Sequence, residues 1–297
     1  MKEVEKPRLT KKERFRQAEK ITIIGIITNI LLTAFKFFAG IVGNSHALIA
    51  DATESLSDVV STSAVLISFK ISKKPKDENH PYGHGKAESI ATGIVGLIIV
   101  ASGFFILFTD ARLILTGDAT SPTFIALAAA LLTLVIKEIL HRYVLGYAKR
   151  LDSSVLMASA LDYRKDVISK VATIVGITGA MIGFPFLDPL AAIFVSFIII
   201  GIGFRVVIRG SRELMDTALE QPMIDKMIAV AKGCAGVEHA TGRARRMGQF
   251  ISAELIIDVD PSLSVLNGHN IAKNVKEGIL KELDNVTDVM VHVNPHE

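Results

Sequence analysis

The chain has 297 residues, half of them hydrophobic, with 33 basic against 30 acidic side chains and a mean hydropathy of +0.43. That balance excludes a disordered chain and an ordinary soluble domain, and indicates an integral membrane protein with a polar appendage. The formal charge of +3 is a loop bias and not a nucleic-acid footprint, and the single cysteine, Cys234, excludes an intramolecular disulfide framework and a thiolate-rich metal site.

A basic segment, residues 1–20, comes first. Contact with anionic lipid and positive-inside anchoring explain it equally well. Six apolar runs follow, at about 21–43, 46–71, 89–109, 122–145, 155–183 and 187–208, so a six-span transmembrane domain is expected over 21–209. The first run is too long for a signal-peptide core, has no A-x-A cleavage pattern and leads directly into a second span. Lys73, Lys74 and Lys76, Lys149 and Arg150, and Arg205, Arg209 and Arg212 fall on the same side as the basic N-terminus, while the opposite loops hold only Arg112. Both termini are therefore expected in the cytoplasm, with the protein in the cytoplasmic membrane of a prokaryote.

From residue 210 the hydropathy falls and shorter periods appear. Asp225 to Cys234 reads as a helix, Phe250 to Val259 as a strand, His269 to Leu283 as a helix and Val289 to Val293 as a strand, with Gly233, Gly236, Asp260-Pro261 and Asn267-Gly268 as punctuation. The fold class is thus an all-α six-helix transmembrane bundle plus a small cytoplasmic α+β domain over 210–297. A domain of that size is marginal alone, so dimerisation through it is physically useful.

Two acidic pairs lie inside the apolar runs: Glu54 with Asp58 in the second and Asp162 with Asp166 in the fifth. Each carboxylate at bilayer depth costs about 2.5–3.5 kcal/mol, which a bound cation offsets. Spacing of four residues places both acids of a pair on one helix face, so two such helices packed together enclose four carboxylates. Pairing with Lys36, Arg164 or Lys165 in a helix bundle is the bland alternative. Asp51, one turn before Glu54, reads equally as a neighbouring exit-path carboxylate or as a capping group near the outer surface.

In the loop after the second run, Asp77, His80 and His84 have offsets of three and four that can converge three nitrogen or oxygen ligands on one ion. A folded turn with hydrogen-bonded imidazoles explains the same residues.

The run from Ser45 to Asp58, the loop from Asp77 to Glu88 and the Asp162-Tyr163-Arg164-Lys165-Asp166 motif together resemble the cation diffusion facilitator family. The resemblance implies a homodimeric exporter that moves a divalent transition metal out of the cytosol in exchange for protons, with a ferredoxin-like tail. It implies a transport site made by Glu54, Asp58, Asp162 and Asp166, a loop site made by Asp77, His80 and His84, and a tail site near His239, Glu254, His269 and His292. Asn294 stands where a bridging Asp is often found, and His296 is a weaker ligand candidate. Lys86 and Asp216 match the family's inter-helix charge contact. In zinc-selective members a histidine commonly occupies one transport-site position, where this chain has Glu54 and Asp162. All-oxygen ligation suits Mn²⁺ or Fe²⁺, although Zn²⁺ also accepts carboxylates, so a Zn²⁺ or Cd²⁺ exporter is the alternative.

The chain carries no P-loop or other nucleotide signature, which leaves an ion gradient as the energy source. Gly179-x-x-x-Gly183 and the glycines of the third run permit close helix approach and do not bear on substrate. A membrane metal sensor or scaffold, and more remotely an intramembrane metallohydrolase, are the competing classes; a transporter, not an enzyme, is the expectation.

Overall fold

The computed structural model describes residues 11–72, 74, 77–151, 154–247, 250–283 and 286–296. The first half of the basic segment therefore lies outside the described residues. Of Asp162, Arg164, Lys165 and Asp166 only the helical backbone is described.

Six long helices occupy the six expected runs: α1 (Lys11–Val42), α2 (His46–Ser72), α3 (Ala87–Thr116), α4 (Phe124–Leu151), α5 (Ser154–Met181) and α6 (Leu187–Leu214). The shortest has 27 residues, a rise of about 40 Å that exceeds the roughly 30 Å hydrocarbon layer. Helix α1 begins ten residues earlier than the apolar run at Ile21, because its charged first turns lose nothing by staying helical in water. Among the described residues α1, α3, α4 and α6 are long and apolar enough to cross a membrane. Helices α2 and α5 are of similar length and carry the acidic motifs.

The chain divides into two compact units, one running up to Thr62 and from Ile98 to Phe204, the other comprising Ser63–Leu97 and Arg205–Glu297. In the first, α4 packs on α5 and α1. Ile21, Leu140, Val144, Ala148, Leu156 and Ala160 form one buried cluster between them. A second cluster is rich in alanine, with Ala39, Ala47, Ala126, Ala129, Ala130 and Ala191 around Leu48 and Ile177. Small residues let backbones approach where lipid supplies no hydrophobic drive. Large apolar side chains such as Leu31, Phe38, Phe105 and Phe194 point outward instead, as lipid-facing residues do. A Cβ at Gly179 would run into Leu187, so that glycine does permit close packing; Gly183, at φ +115°, serves the α5–α6 turn.

The second unit holds the tail domain: α7 (Gln221–Lys232), β1 (His239–Met247), β2 (Phe250–Val259), α8 (Val265–Glu282) and β3 (Val286–Pro295). Strand order is β1-β2-β3, antiparallel between β1 and β2 and parallel between β2 and β3. Alternate residues of β2, Ile251, Ala253, Leu255, Ile257 and Val259, are buried with Ile224 and Met227 of α7 and Val275 and Ile279 of α8. Asn267-Gly268 proves not to be a break: Ser264 caps α8 by accepting the Asn267 N–H, and both residues lie in its first turn.

Candidate metal transport site

The start of α2 is fixed by a carboxylate from another helix. Asp188, at the head of α6, accepts hydrogen bonds from Ser45 Oγ (2.7 Å), His46 N–H (2.6 Å) and Ala47 N–H (3.4 Å), while Ser45 Oγ accepts the Leu48 N–H. Free N–H groups at a helix start attract negative charge, so a buried anion there is satisfied. His46 Nδ1 also lies 2.6 Å from Asp110 of α3. Capping belongs to Asp188, and Asp51 is released for a different role.

Asp51 joins three helices. Its Oδ2 lies 2.7 Å from Lys36 Nζ of α1 and its Oδ1 3.2 Å from Lys170 Nζ of α5, with all three side chains at 3% exposure or less. Lys36 also donates to Ser55 Oγ at 2.9 Å. The bland pairing foreseen for Lys36 is real, but its acid is Asp51 and not one of the two motifs. Lys170 went unnoticed in the sequence, though its position four residues after Asp166 puts it on the motif face.

The Asp51–Lys170 pair sets α2 beside α5. The α2 start meets the α6 head at Asp188, and the α5 end meets the segment before α4 through Ser121 Oγ donating to Ala180 O. Thr123 N–H donates to Gly43 O, so the α5 end and the α2 start share one end of the bundle and the two helices run antiparallel. Moving away from that end, Glu54 and Asp58 follow Asp51 by three and seven residues, and Asp166 and Asp162 precede Lys170 by four and eight. Each set keeps to one face of its helix. Glu54 is buried at 8% exposure, whereas Asp58 is exposed. Tyr163, beside Asp162, has Lys137 Nζ 5.1 Å over its ring, and His141 Nδ1 lies 2.7 Å from Ala160 O; both contacts hold the rotation of α5 against α4.

In the loop, Asp77, His80 and His84 come together, their ligand atoms all within 4.8 Å of one another. Asp77 Oδ1 accepts the His80 N–H at 2.7 Å and lies 3.1 Å from His80 Nδ1, and its Oδ2 lies 3.3 Å from His84 Nε2. Slight burial works against ionisation of Asp77, but the His80 backbone and both imidazoles outweigh it and hold the carboxyl below its usual range. A carboxylate facing two imidazoles is a suitable donor set for a divalent cation. It is the one such three-residue group among the described residues.

The tail candidates do not converge within one chain. His239 pairs with Asp258 across β1 and β2, and Asp258 pairs with Asn294 across β2 and β3, making one outward row. Its His239 Nδ1 to Asp258 Oδ2 distance is 3.5 Å. His292 sits one rung away opposite Ile256, and Glu254 is two rungs away, ion-paired to Arg243 at 2.6 Å. His269 is exposed on the first turn of α8, and His296 lies 3.3 Å from Glu238. Asp258 escaped notice in the sequence because a strand acid needs its cross-strand partner to stand out.

Lys86 and Asp216 do meet, Nζ to Oδ1 at 3.0 Å, and Arg245 of β1 adds a second cation 2.9 Å from Oδ2. Asp216 adopts φ +56° just past the end of α6, a conformation that Asp tolerates better than most residues.

Comparison with known proteins agrees with this architecture. The family model described as the cation efflux transmembrane domain matches residues 22–215, and that of the cation efflux protein cytoplasmic domain matches 219–296. The manganese efflux system protein MneP of Bacillus subtilis (strain 168) is 34% identical over 292 residues, 96% of this chain and 98% of its own. The magnetosome protein MamB of Magnetospira sp. (strain QH-2) is 34% identical over 271 residues, 90% of this chain and 92% of its own. A MamM CTD structure in a nickel form is 26% identical and covers 26% of this chain and 100% of that one, at a TM-score of 0.26. With both halves matched in order, six helices in place and no enzymatic chemistry required, the chain belongs to the cation efflux, or cation diffusion facilitator, family of membrane metal transporters.

Proposed function

We propose that this chain is a homodimeric, proton-coupled exporter of divalent transition-metal cations from the cytosol, with Mn²⁺ or Fe²⁺ as cargo. The observation that carries the reading is the pair of antiparallel helices α2 and α5 joined at Asp51–Lys170, each bearing two further acids on the joined face. Glu54, Asp58, Asp162 and Asp166 would hold the ion through oxygen alone. Hard ligands favour Mn²⁺ and Fe²⁺ over softer competitors. The similarity to a manganese efflux protein supports the same choice. Ligand acids must be deprotonated to bind, so metal entry and proton release are linked, and a proton gradient becomes the source of work. Asp77, His80 and His84 add imidazole ligands in the loop, and they favour a second reading in which the loop senses metal while the helices carry it.

The test is flux. Purified protein reconstituted in vesicles with an imposed pH gradient is expected to move Mn²⁺ and Fe²⁺ faster than Zn²⁺ or Cd²⁺, and to stop when the gradient is collapsed. Binding without movement would assign the chain to sensing or scaffolding. Faster Zn²⁺ or Cd²⁺ transport would select the alternative cargo.

A further inference from the structure

Where the apolar stretch of α6 ends, the second unit contains a basic cavity of about 560 Å³. Arg205, Arg209 and Arg212 line it at offsets of four and seven residues, which puts them on one face of α6, and Arg246 lines it from β1. Two acids also line it, Glu213, which accepts a hydrogen bond from Ser89 at 2.8 Å, and the exposed Glu220. Four arginines against two glutamates leave a cationic surface.

The pairing of the arginines separates this site from an ordinary charged face. On β1, Arg243 and Arg245 each have a carboxylate partner, Glu254 and Asp216. Among the described residues no carboxylate lies within 4.0 Å of Arg209, Arg212 or Arg246, although all three are exposed. Three guanidinium groups line one concavity with no carboxylate in ion-pair contact, and a guanidinium fork matches the oxygens of a phosphate better than it matches chloride or water. The volume is that of a small-molecule site.

An apolar neighbour decides between a soluble phosphate and a lipid. Ile208, one residue on the membrane side of Arg209, lines the same cavity at 49% exposure. A free anion has no use for that surface. An acyl chain does, and a lipid phosphate resides at the depth where a spanning helix turns from apolar to basic. We propose that this cavity binds the headgroup of an anionic phospholipid, with Arg209, Arg212 and Arg246 on its phosphate oxygens and Ile208 against its chains.

The test uses the full-length protein in neutral detergent, titrated with cardiolipin, phosphatidylcholine or pyrophosphate, with bound lipid counted by native mass spectrometry and thermal unfolding followed in parallel. Cardiolipin is expected to be retained and to raise the unfolding temperature. A triple Arg209→Gln, Arg212→Gln, Arg246→Gln variant is expected to lose about tenfold in apparent affinity. Arg243→Gln, whose guanidinium is held by Glu254, is expected to lose none. Should the triple variant fail to fold, Arg246→Gln alone, in the tail strand, is expected to weaken cardiolipin binding. Equal retention of phosphatidylcholine, or unaltered cardiolipin affinity in a folded variant, overturns the proposal. Pyrophosphate that binds as tightly as cardiolipin and displaces it would reassign the cavity to a soluble anion and overturn it equally.

Discussion

Lys170 of α5 reaches Asp51 of α2 at 3.2 Å, and on the far side of the same carboxylate Lys36 of α1 lies at 2.7 Å. Two ammonium groups flank one buried carboxylate, placed one helical turn from Glu54. The triad ties the two motif helices together and stands at the side of the motifs nearer the α2 start.

The triad yields an asymmetric stability prediction. Asp51→Asn removes the carboxylate that both buried ammonium groups contact and is expected to cost about 3–5 kcal/mol, the usual penalty for breaking a buried ion pair. Lys170→Met leaves the Lys36–Asp51 pair intact, so its loss is expected to be the smaller. Thermal unfolding of the purified variants in detergent checks the order. If Lys170→Met proves the more damaging, Lys170 has a partner more important to stability than Asp51.

Flux tests the acids themselves. Asp58→Ala and Asp166→Ala each remove one carboxylate from the proposed four-acid site, and transport is expected to fall below detection while the folded protein is still recovered from the membrane. Glu54 is buried and Asp58 exposed, so loss of Asp58 is expected to cost less thermal stability than loss of Glu54. Undiminished transport by either folded variant would remove that residue from the site.

Much of this was legible before any coordinates. The six runs and both acidic pairs stand out because charges in a long apolar helix are costly, and β2 shows itself by strict alternation of apolar residues. Strand β1 was missed. Its buried residues are only Ala240 and Ala244, and it carries three arginines spread over both faces, so as an edge strand it has almost no hydrophobic period. Lys170 and Asp188 were missed for a related reason. A buried ion pair or a cap supplied from a distant helix is a tertiary fact, and nothing local in Ser169-Lys170-Val171 or Leu187-Asp188-Pro189 announces the partner. The loop ligands were readable because Asp77, His80 and His84 are close in sequence, whereas the tail histidines depend on strand register.

Selectivity gives a test confined to one residue. Asp162→His replaces a hard oxygen by an imidazole nitrogen and is expected to shift the transport ratio from Mn²⁺ toward Zn²⁺. Competition between the two ions in reconstituted vesicles measures it. An unchanged ratio in an active variant would place Asp162 away from the ion.

The last prediction concerns pH and the contact among Lys86, Asp216 and Arg245. The pairing with Lys86 foremost, and then the charge of Arg245, hold the Asp216 carboxyl below its ordinary range, with partial burial opposing them. A carboxyl lowered in the folded state stabilises the fold above its unfolded value of about 3.9 and loses that contribution as pH falls through the lowered folded value. Asp216→Asn keeps a residue that accepts φ +56° and so removes the charge without straining the turn. With the side chain about a third exposed, solvent screening limits the effect to at most about 1 kcal/mol. The variant is therefore expected to unfold at a slightly lower temperature than the native chain at pH 7. Below about pH 4 the gap is expected to close as the native carboxyl takes up its proton. Thermal unfolding in detergent from pH 7 down to pH 3 follows that convergence, and a gap that persists unchanged to the lowest pH would mean that Asp216 acts by shape or hydrogen bonding and not by charge.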